Sequence, residues 1–417
     1  MRCPSFQQRH KRSEKDFTRR RCLGFVRVVS LVARGMLGSI QRELDEFFAT
    51  LFDRPVASRE VTDGAFCHAR LKLRHTAFVE LGHLAVDSAY ETMECVRRVA
   101  GYRVLAIDGS KVNLPGSPAI RAHFDPEDKR PGVCGSPQML LSQCYDVVNG
   151  LVVDAVGVPG ASCERRTAMA HLGRLDEDDI VLVDRGYPAH WFLRAIDTTG
   201  ARFVARVSLS FSKTVAEFVA SGKETDIIAL EATDDSREAC RQYGLDPSPM
   251  RVRAVRVTLP GGETEALLSN FVDEDYDPGL FGELYRMRWG VEEGFKRLKS
   301  PLELENMSGK TVEAVLQDLH AKAFLANMTA ITALPARKAI AKATAGRKLD
   351  YDVNWTTAIS KVRSAGVLLF LGQDIGTLVS QLQDAIAVCL SPIRPGRSNP
   401  RNMTATKRRF PGNRKRI

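Results

Sequence analysis

The sequence predicts an α/β fold, built on a mixed five-stranded sheet and flanked by helical N- and C-terminal regions. Three observations lead there. Helical periodicity over residues 36–100 gives way at residue 102 to short apolar runs of strand type. Asn149-Gly150 between two such runs is a strong hairpin signal. After the hairpin, strand-like and helix-like segments alternate, the pattern of parallel α/β units.

The elements follow in chain order. Ile40, Leu44, Phe47, Phe48 and Leu51 recur at helical spacing, as do Leu71, Leu73, Phe78, Leu81 and Leu84, with Asp53-Arg-Pro55 as a break. With Arg70, Lys72 and Arg74, this region is either a DNA-contacting module or a helical cap. Arg103 to Ile107 is a buried-type strand ending at Asp108-Gly109. Met139–Asp146 and Leu151–Val158 form the hairpin. Residues 164–174 suit a helix, and Ile180–Val183 is a strand ending at Asp184-Arg-Gly-Tyr187. Pro188 opens a helix through Ile196, at a position where its missing N–H costs little. Arg202–Val207 is the fifth strand.

Three antiparallel strands, helix, strand, helix, strand is the ribonuclease-H-like order, with acids where an open α/β sheet places its ligands. Residues 208–270 interrupt it. Arg251 to Leu259 alternates, Pro260-Gly-Gly262 turns, and Thr264 to Phe271 returns, which predicts a β-rich insertion with Arg251, Arg253 and Arg256 partly on an outer face. Long amphipathic helices are expected over 311–333 and 367–390. The expected organisation is a basic arm over 1–35, a helical domain over 36–100, and a catalytic domain from 101–207 and 271–310. The insertion covers 208–270, a helical region 311–390, and a basic tail 391–417.

Composition bounds the function. A hydrophobic share of 44% with 26% charged residues is that of an ordinary globular protein. The nine cysteines, Cys67, Cys144 and Cys240 among them, form no C-x-x-C pair, which argues against zinc and points to a reduced, cytoplasmic setting. No apolar run is long enough for a membrane helix. Arg19-Arg-Arg21 before Leu23–Gly35 faintly resembles an export signal, but Arg27 and Arg34 interrupt the apolar stretch. Amphipathic patterning begins only near Met36, so residues 1–35 read as a disordered arm or an upstream extension. Residues 1–22 carry +6 and residues 391–417 carry +9, against +10 for the whole chain, so the body between them is mildly acidic. Basic arms on an acidic body fit a nucleic-acid partner, though solvated tails would look the same.

The chemistry concentrates in Leu284–Lys299. On one continuous helix, Tyr285, Arg288, Glu292 and Lys299 fall within a stripe about 60° wide. Leu284, Val291, Phe295 and Leu298 form the adjoining apolar stripe. Two divalent cations about 4 Å apart, held by carboxylates, activate an attacking oxygen and stabilise a leaving one. Asp108, Asp184 and Glu292, from three elements, would supply the hard oxygen donors that Mg²⁺ prefers, with Arg288 and Lys299 gripping phosphates. Taken singly, the helix reads equally as a charged surface with ion pairs, and each aspartate as a turn or cap residue. Their coincidence with the strand order favours the catalytic reading.

Tyr285-x2-Arg288-x3-Glu292-x6-Lys299 resembles the Y-(2)-R-(3)-E-(6)-K signature of the bacterial insertion-sequence DDE transposases of family 4. Ile107–Pro115 is similar to that family's first-aspartate motif and Val183–Tyr187 to its second. Leu267–Asn270, Ser308-Gly309 and Gln317-Asp318 are similar too, so the resemblance spans about residues 60–330. It implies a DNA transposase with Asp108, Asp184 and Glu292 as catalytic, metal-binding acids. Tyr285, Arg288 and Lys299 would bind DNA, and the cofactor would be two Mg²⁺ ions, with Mn²⁺ able to substitute. It also implies cut-and-paste chemistry, in which a freed 3′-hydroxyl attacks a second phosphodiester without a covalent enzyme intermediate. The implied partners are the terminal inverted repeats and target DNA, bound by a homodimer in a nucleoid-associated paired-end complex.

One departure stands out. Related enzymes that form a DNA hairpin commonly stack a flipped base on a tryptophan of the insertion. Trp191, Trp289 and Trp355 all lie outside 208–270, leaving Phe211 or Phe218 as aromatic alternatives. The competing readings are a ribonuclease-H-like DNA nuclease without strand transfer and a non-catalytic DNA-binding derivative. A tyrosine recombinase using Tyr285 lacks the expected Arg/His set.

Overall fold

The computed structural model describes residues 1–125, 135–258, 263–272 and 276–394. Five helices come first: α1 (Pro4–His10), α2 (Phe25–Ala33), α3 (Ile40–Leu51), α4 (Asp63–Arg70) and α5 (Thr76–Thr92). β1 (Arg103–Asn113) and α6 (Pro118–Phe124) follow, then β2 (Gln138–Asp146) and β3 (Leu151–Pro159). α7 (Glu164–Ala168) runs into a 3₁₀ turn at Met169–Arg174, before β4 (Asp179–Val183), α8 (His190–Asp197) and β5 (Arg202–Val207). Then come α9 (Lys213–Ala220), β6 (Thr225–Leu230), α10 (Asp234–Tyr243), β7 (Met250–Thr258) and β8 (Thr264–Ser269). The remainder is α11 (Pro278–Met287), α12 (Gly290–Lys299), α13 (Val312–Thr344), β9 (Tyr351–Val353), α14 (Trp355–Leu371), α15 (Ile375–Ala387) and β10 (Leu390–Pro392).

The chain divides into two compact units. One comprises Met1–Val96, Lys111–Met139 and the chain from Phe295 onward; the other comprises Arg97–Ser110 and Leu140–Gly294. The division therefore falls inside α12, not at residue 310.

Eight strands form one sheet in the order β3-β2-β1-β4-β5-β8-β7-β6. Its first five follow the ribonuclease-H-like order, with β1, β4 and β5 parallel. The central strands are apolar and buried, Val104 to Ile107 and Ile180 to Val183 among them, as parallel strands covered on both faces require. The expected five-stranded sheet with a separate β-rich insertion needs correcting. β8 pairs antiparallel with β5 from Val204↔Ser269 to Val207↔Ala266, and β7 and β6 continue outward. The insertion thus extends the central sheet, and its two helices, α9 and α10, were not expected. Open backbone donors and acceptors along the β5 edge account for it, since an edge is covered most directly by another strand. The Pro260-Gly-Gly262 turn lies outside the described residues.

The other unit is helical. α13 runs for 33 residues, and Phe324 and Ala321 on it join a core that holds Phe6, Val28, Val29, Leu31, Phe47, Phe48, Phe66, Phe78 and Val367. The arm expected over 1–35 is therefore part of this core rather than disordered. Arg34, expected to break the apolar run, is buried beside Glu43 of α3 at 3.3 Å, and Arg27 donates to the Cys22 carbonyl at 3.0 Å. Arg70, considered for DNA contact, is also buried. It pairs with Asp318 at 2.9 Å and also bonds to Gln317 and Ser308, which gives the Ser308-Gly309 and Gln317-Asp318 motifs a structural role. The single helix expected over 367–390 ends at Leu371, and Asp374 caps the start of α15 by accepting from the Thr377 amide. The basic tail from residue 395 lies outside the described residues, among which no helix is long and apolar enough to cross a membrane.

Because residues 23–36 supply so much of that core, a chain beginning at Met36 should lose cooperative thermal unfolding of the helical unit. An unchanged melting curve would show the arm to be dispensable.

Candidate active site

The pairing of β1 with β4 runs from Arg103↔Asp179 to Ile107↔Val183 and stops there. Asp108 and Asp184 are the next residues on two adjacent parallel strands, so the register sets them side by side. β1 itself continues to Asn113, which places Asp108 within the strand and not at its end. Each aspartate folds onto the following amide: Gly109 N–H donates to Asp108 Oδ1 at 2.8 Å, and Arg185 N–H to Asp184 Oδ1 at 2.6 Å.

Three further side chains converge on this pair. Arg288 Nη1 lies 3.5 Å from Asp108 Oδ2 and its Nη2 lies 3.8 Å from Asp184 Oδ2, so one guanidinium spans both acids. Tyr285 Oη donates to Asp184 Oδ1 at 3.1 Å. Arg206, near the end of β5, donates from Nε to the same oxygen at 2.9 Å and from Nη1 to Glu265 at 2.6 Å. Both guanidiniums stand 5.7 Å from the Tyr285 ring centroid, within cation–π range. Arg288 is 3% exposed, whereas its neighbour Trp289 is 53% exposed.

The electrostatics split the two aspartates. Burial raises the Asp108 carboxyl above the usual carboxylate range; Gly109 and Arg288 oppose this, and Glu164 and Asp184 add to it. Burial also opposes ionisation of Asp184, but the Arg185 amide, both arginines and Tyr285 outweigh it and hold its carboxyl below the usual range. Burial pushes the Tyr285 hydroxyl up, as does its bond to Asp184, while Arg288 and Arg206 oppose the shift. It therefore stays protonated, a donor and not the phenolate a recombinase nucleophile would need.

The expected continuous stripe needs correcting. α11 ends at Met287 and α12 begins at Gly290. Through the joint, amides bond three residues back: Arg288 to Tyr285 at 3.0 Å, Val291 to Arg288 at 3.0 Å and Glu292 to Trp289 at 3.1 Å. This 3₁₀ tightening changes the angular step per residue from about 100° to about 120°. The helix that follows packs closely on the hairpin. A Cβ on Gly290 would meet Val147 Cβ at 2.9 Å, and one on Gly294 would meet Tyr145 Cε2 at 2.9 Å.

Asp108, Asp184, Tyr285 and Arg288 therefore come together. Glu292 sits half-buried in the first turn of α12. Lys299 falls in the helical unit, where its Nζ donates to the Lys111 carbonyl at 2.8 Å. Burial lowers its pKa, with Glu305 opposing. Among the described residues, no three acid, histidine or cysteine side chains are grouped closely enough to hold one metal ion. Phe218, one of the aromatic alternatives for base stacking, is 3% exposed. Sequence reasoning missed Arg206, whose charge at the end of an apolar strand was the available signal. It also missed Gly290 and Gly294, spaced four apart on one helix face.

The profile of the transposase DDE domain family matches residues 99–328, which contain all six residues of the expected site. The InsG transposase of insertion sequence IS4 from Escherichia coli (strain K12) is 23% identical over 221 residues, 52% of this chain and 49% of that protein. The chain thus spans about half the length of this curated relative. A piggyBac transposase chain, solved in a synaptic complex with hairpin DNA, aligns over 90% of this chain and 77% of its own. Its TM-score is 0.42 at 12% identity, too distant for any functional inference.

Gly294→Ala should force the buried Tyr145 ring to move. Overpacking of this kind costs about 1–3 kcal/mol, offset by up to about 1 kcal/mol of helix propensity. Denaturant unfolding measures the difference; clear stabilisation would show that the ring yields freely.

Proposed function

The chain belongs to the transposase DDE domain family, and from that premise we propose that it is a DNA transposase that moves an insertion sequence by cut-and-paste. The observation that carries this reading is the register that sets Asp108 beside Asp184, with Arg288 spanning both, inside the matched region.

The donor set suits a divalent cation. Asp108, Asp184 and Glu292 offer hard carboxylate oxygens, and the first two already share one positive group. By family analogy the aspartate pair would hold Mg²⁺, two ions with Mn²⁺ in substitution, and Glu292 would complete the set only on moving toward the pair. Bound there, the metal would supply Lewis acidity at the attacking and leaving oxygens. The protein's own groups do the rest. Arg288 has long contacts to its acids and a buried Nε without a partner, so its planar fork has donors to offer a phosphate. Tyr285, held protonated, donates to the same phosphate as Arg288 turns toward it. Lys299 contributes a point charge for the flanking backbone. Terminal inverted repeats and target DNA are the substrates, and a homodimer on paired ends is the assembly. The setting is cytoplasmic, at the nucleoid.

The test incubates the protein with Mg²⁺ or Mn²⁺ and a DNA fragment ending in its element's terminal repeats. Excision and joining are expected. Cleavage alone would make it a nuclease, and a metal-independent gel shift alone a DNA binder. Asp108→Ala should abolish chemistry and keep DNA binding; cleavage by that variant would overturn the site assignment.

A further inference from the structure

Glu164, the first residue of α7, lies outside the proposed acid set yet against the same strand. A Cβ built on Gly109 would meet Glu164 Cδ at 3.0 Å and Oε1 at 3.2 Å, so the glycine after Asp108 is what admits this carboxylate. Its neighbour Arg165 donates from Nη2 to the Gly186 carbonyl at 2.9 Å, tying the start of α7 to the loop that follows Asp184. Among the described residues Glu164 is exposed and has no cation partner, unlike Asp108 and Asp184.

Tyr187 supplies an independent observation. It is 1% exposed, and its hydroxyl is buried without a hydrogen-bond partner. Its backbone N–H donates to the Asp184 carbonyl at 2.9 Å, which holds it beside the aspartate pair. A buried hydroxyl is normally bonded to protein, water or an ion. One that sits three residues after Asp184 and bonds to no protein group is suited to a bridging water.

We infer that Glu164 and the Tyr187 hydroxyl hold the water shell of a divalent cation bound at Asp108, making Glu164 a fourth carboxylate of the centre. This rests on the metal-dependent reading of Asp108. Mg²⁺ takes one or two carboxylates directly and keeps several waters, so a centre without a three-acid cage still needs groups that orient those waters. Glu164 accepts a hydrogen bond from one of them, and the Tyr187 hydroxyl engages another. Both are positioning residues, acting through metal-bound water rather than on DNA. Outer groups of this kind commonly change metal affinity by 10–100-fold when removed.

The test titrates Mn²⁺ into the full chain without DNA, followed by electron paramagnetic resonance, with Tm measured in metal-free buffer. Asp108→Asn should abolish tight binding. Glu164→Gln should weaken it about tenfold at unchanged Tm, Glu164→Asp should recover most of it, and Tyr187→Phe should weaken it a few-fold. A purely structural Glu164 would lower Tm and leave Mn²⁺ affinity intact. Wild-type affinity in Glu164→Gln, with binding lost in Asp108→Asn, overturns this inference alone. Wild-type affinity in Asp108→Asn overturns the metal reading with it. Should Glu164→Gln fail to fold, wild-type affinity in Tyr187→Phe and Glu164→Asp together overturns the inference.

Discussion

The parallel pairing of β1 with β4 stops at Ile107↔Val183 and leaves two carboxylates next to each other where these two central strands part. Like charges so placed disfavour each other's ionisation, and burial adds to the cost. The surroundings resolve this unequally. Two arginines, a backbone amide and a tyrosine hydroxyl gather on Asp184, and its carboxyl falls below the usual range. Asp108 has Arg288 and one amide, and its carboxyl rises. A cation arriving at the pair would meet a firmly ionised Asp184 and an Asp108 that gains most from a new positive neighbour.

Arg288, which spans the pair, sits at the joint between two helices. The joint between α11 and α12 tightens into 3₁₀ geometry, and the two glycines that follow let α12 settle against Val147 and Tyr145. Side chains at those positions would press on Val147 and Tyr145. The sheet edge is secured in a related way. β8, β7 and β6 cover the open side of β5, which fixes Arg206 between Asp184 and Glu265.

In this arrangement Arg288 and Arg206 compensate the charge of the two acids. Arg288 is nearly fully buried, has two long contacts and retains an unpartnered Nε, so exchanging a carboxylate for a phosphate oxygen leaves it no less satisfied.

The strand order, the two aspartates and the Tyr285-Arg288-Glu292 spacing were legible in the sequence, because they rest on local signals: apolar runs, an Asn-Gly turn and fixed intervals along one segment. Residues 1–35 were not, since a segment whose arginines are paired with Glu43 or hydrogen-bonded to a backbone carbonyl looks, by itself, like a basic arm. Nor were the eight-stranded sheet, the 3₁₀ joint at Arg288 or the bond from Lys299 to a strand carbonyl. Each of these depends on a partner distant in sequence: β8 for β5, the hairpin for Gly290 and Gly294, the Lys111 carbonyl for Lys299. The sequence alone singled out the side chains proposed to carry the chemistry. Tertiary structure decided which of them meet, because strand register and close packing are set by contacts that a linear pattern does not contain.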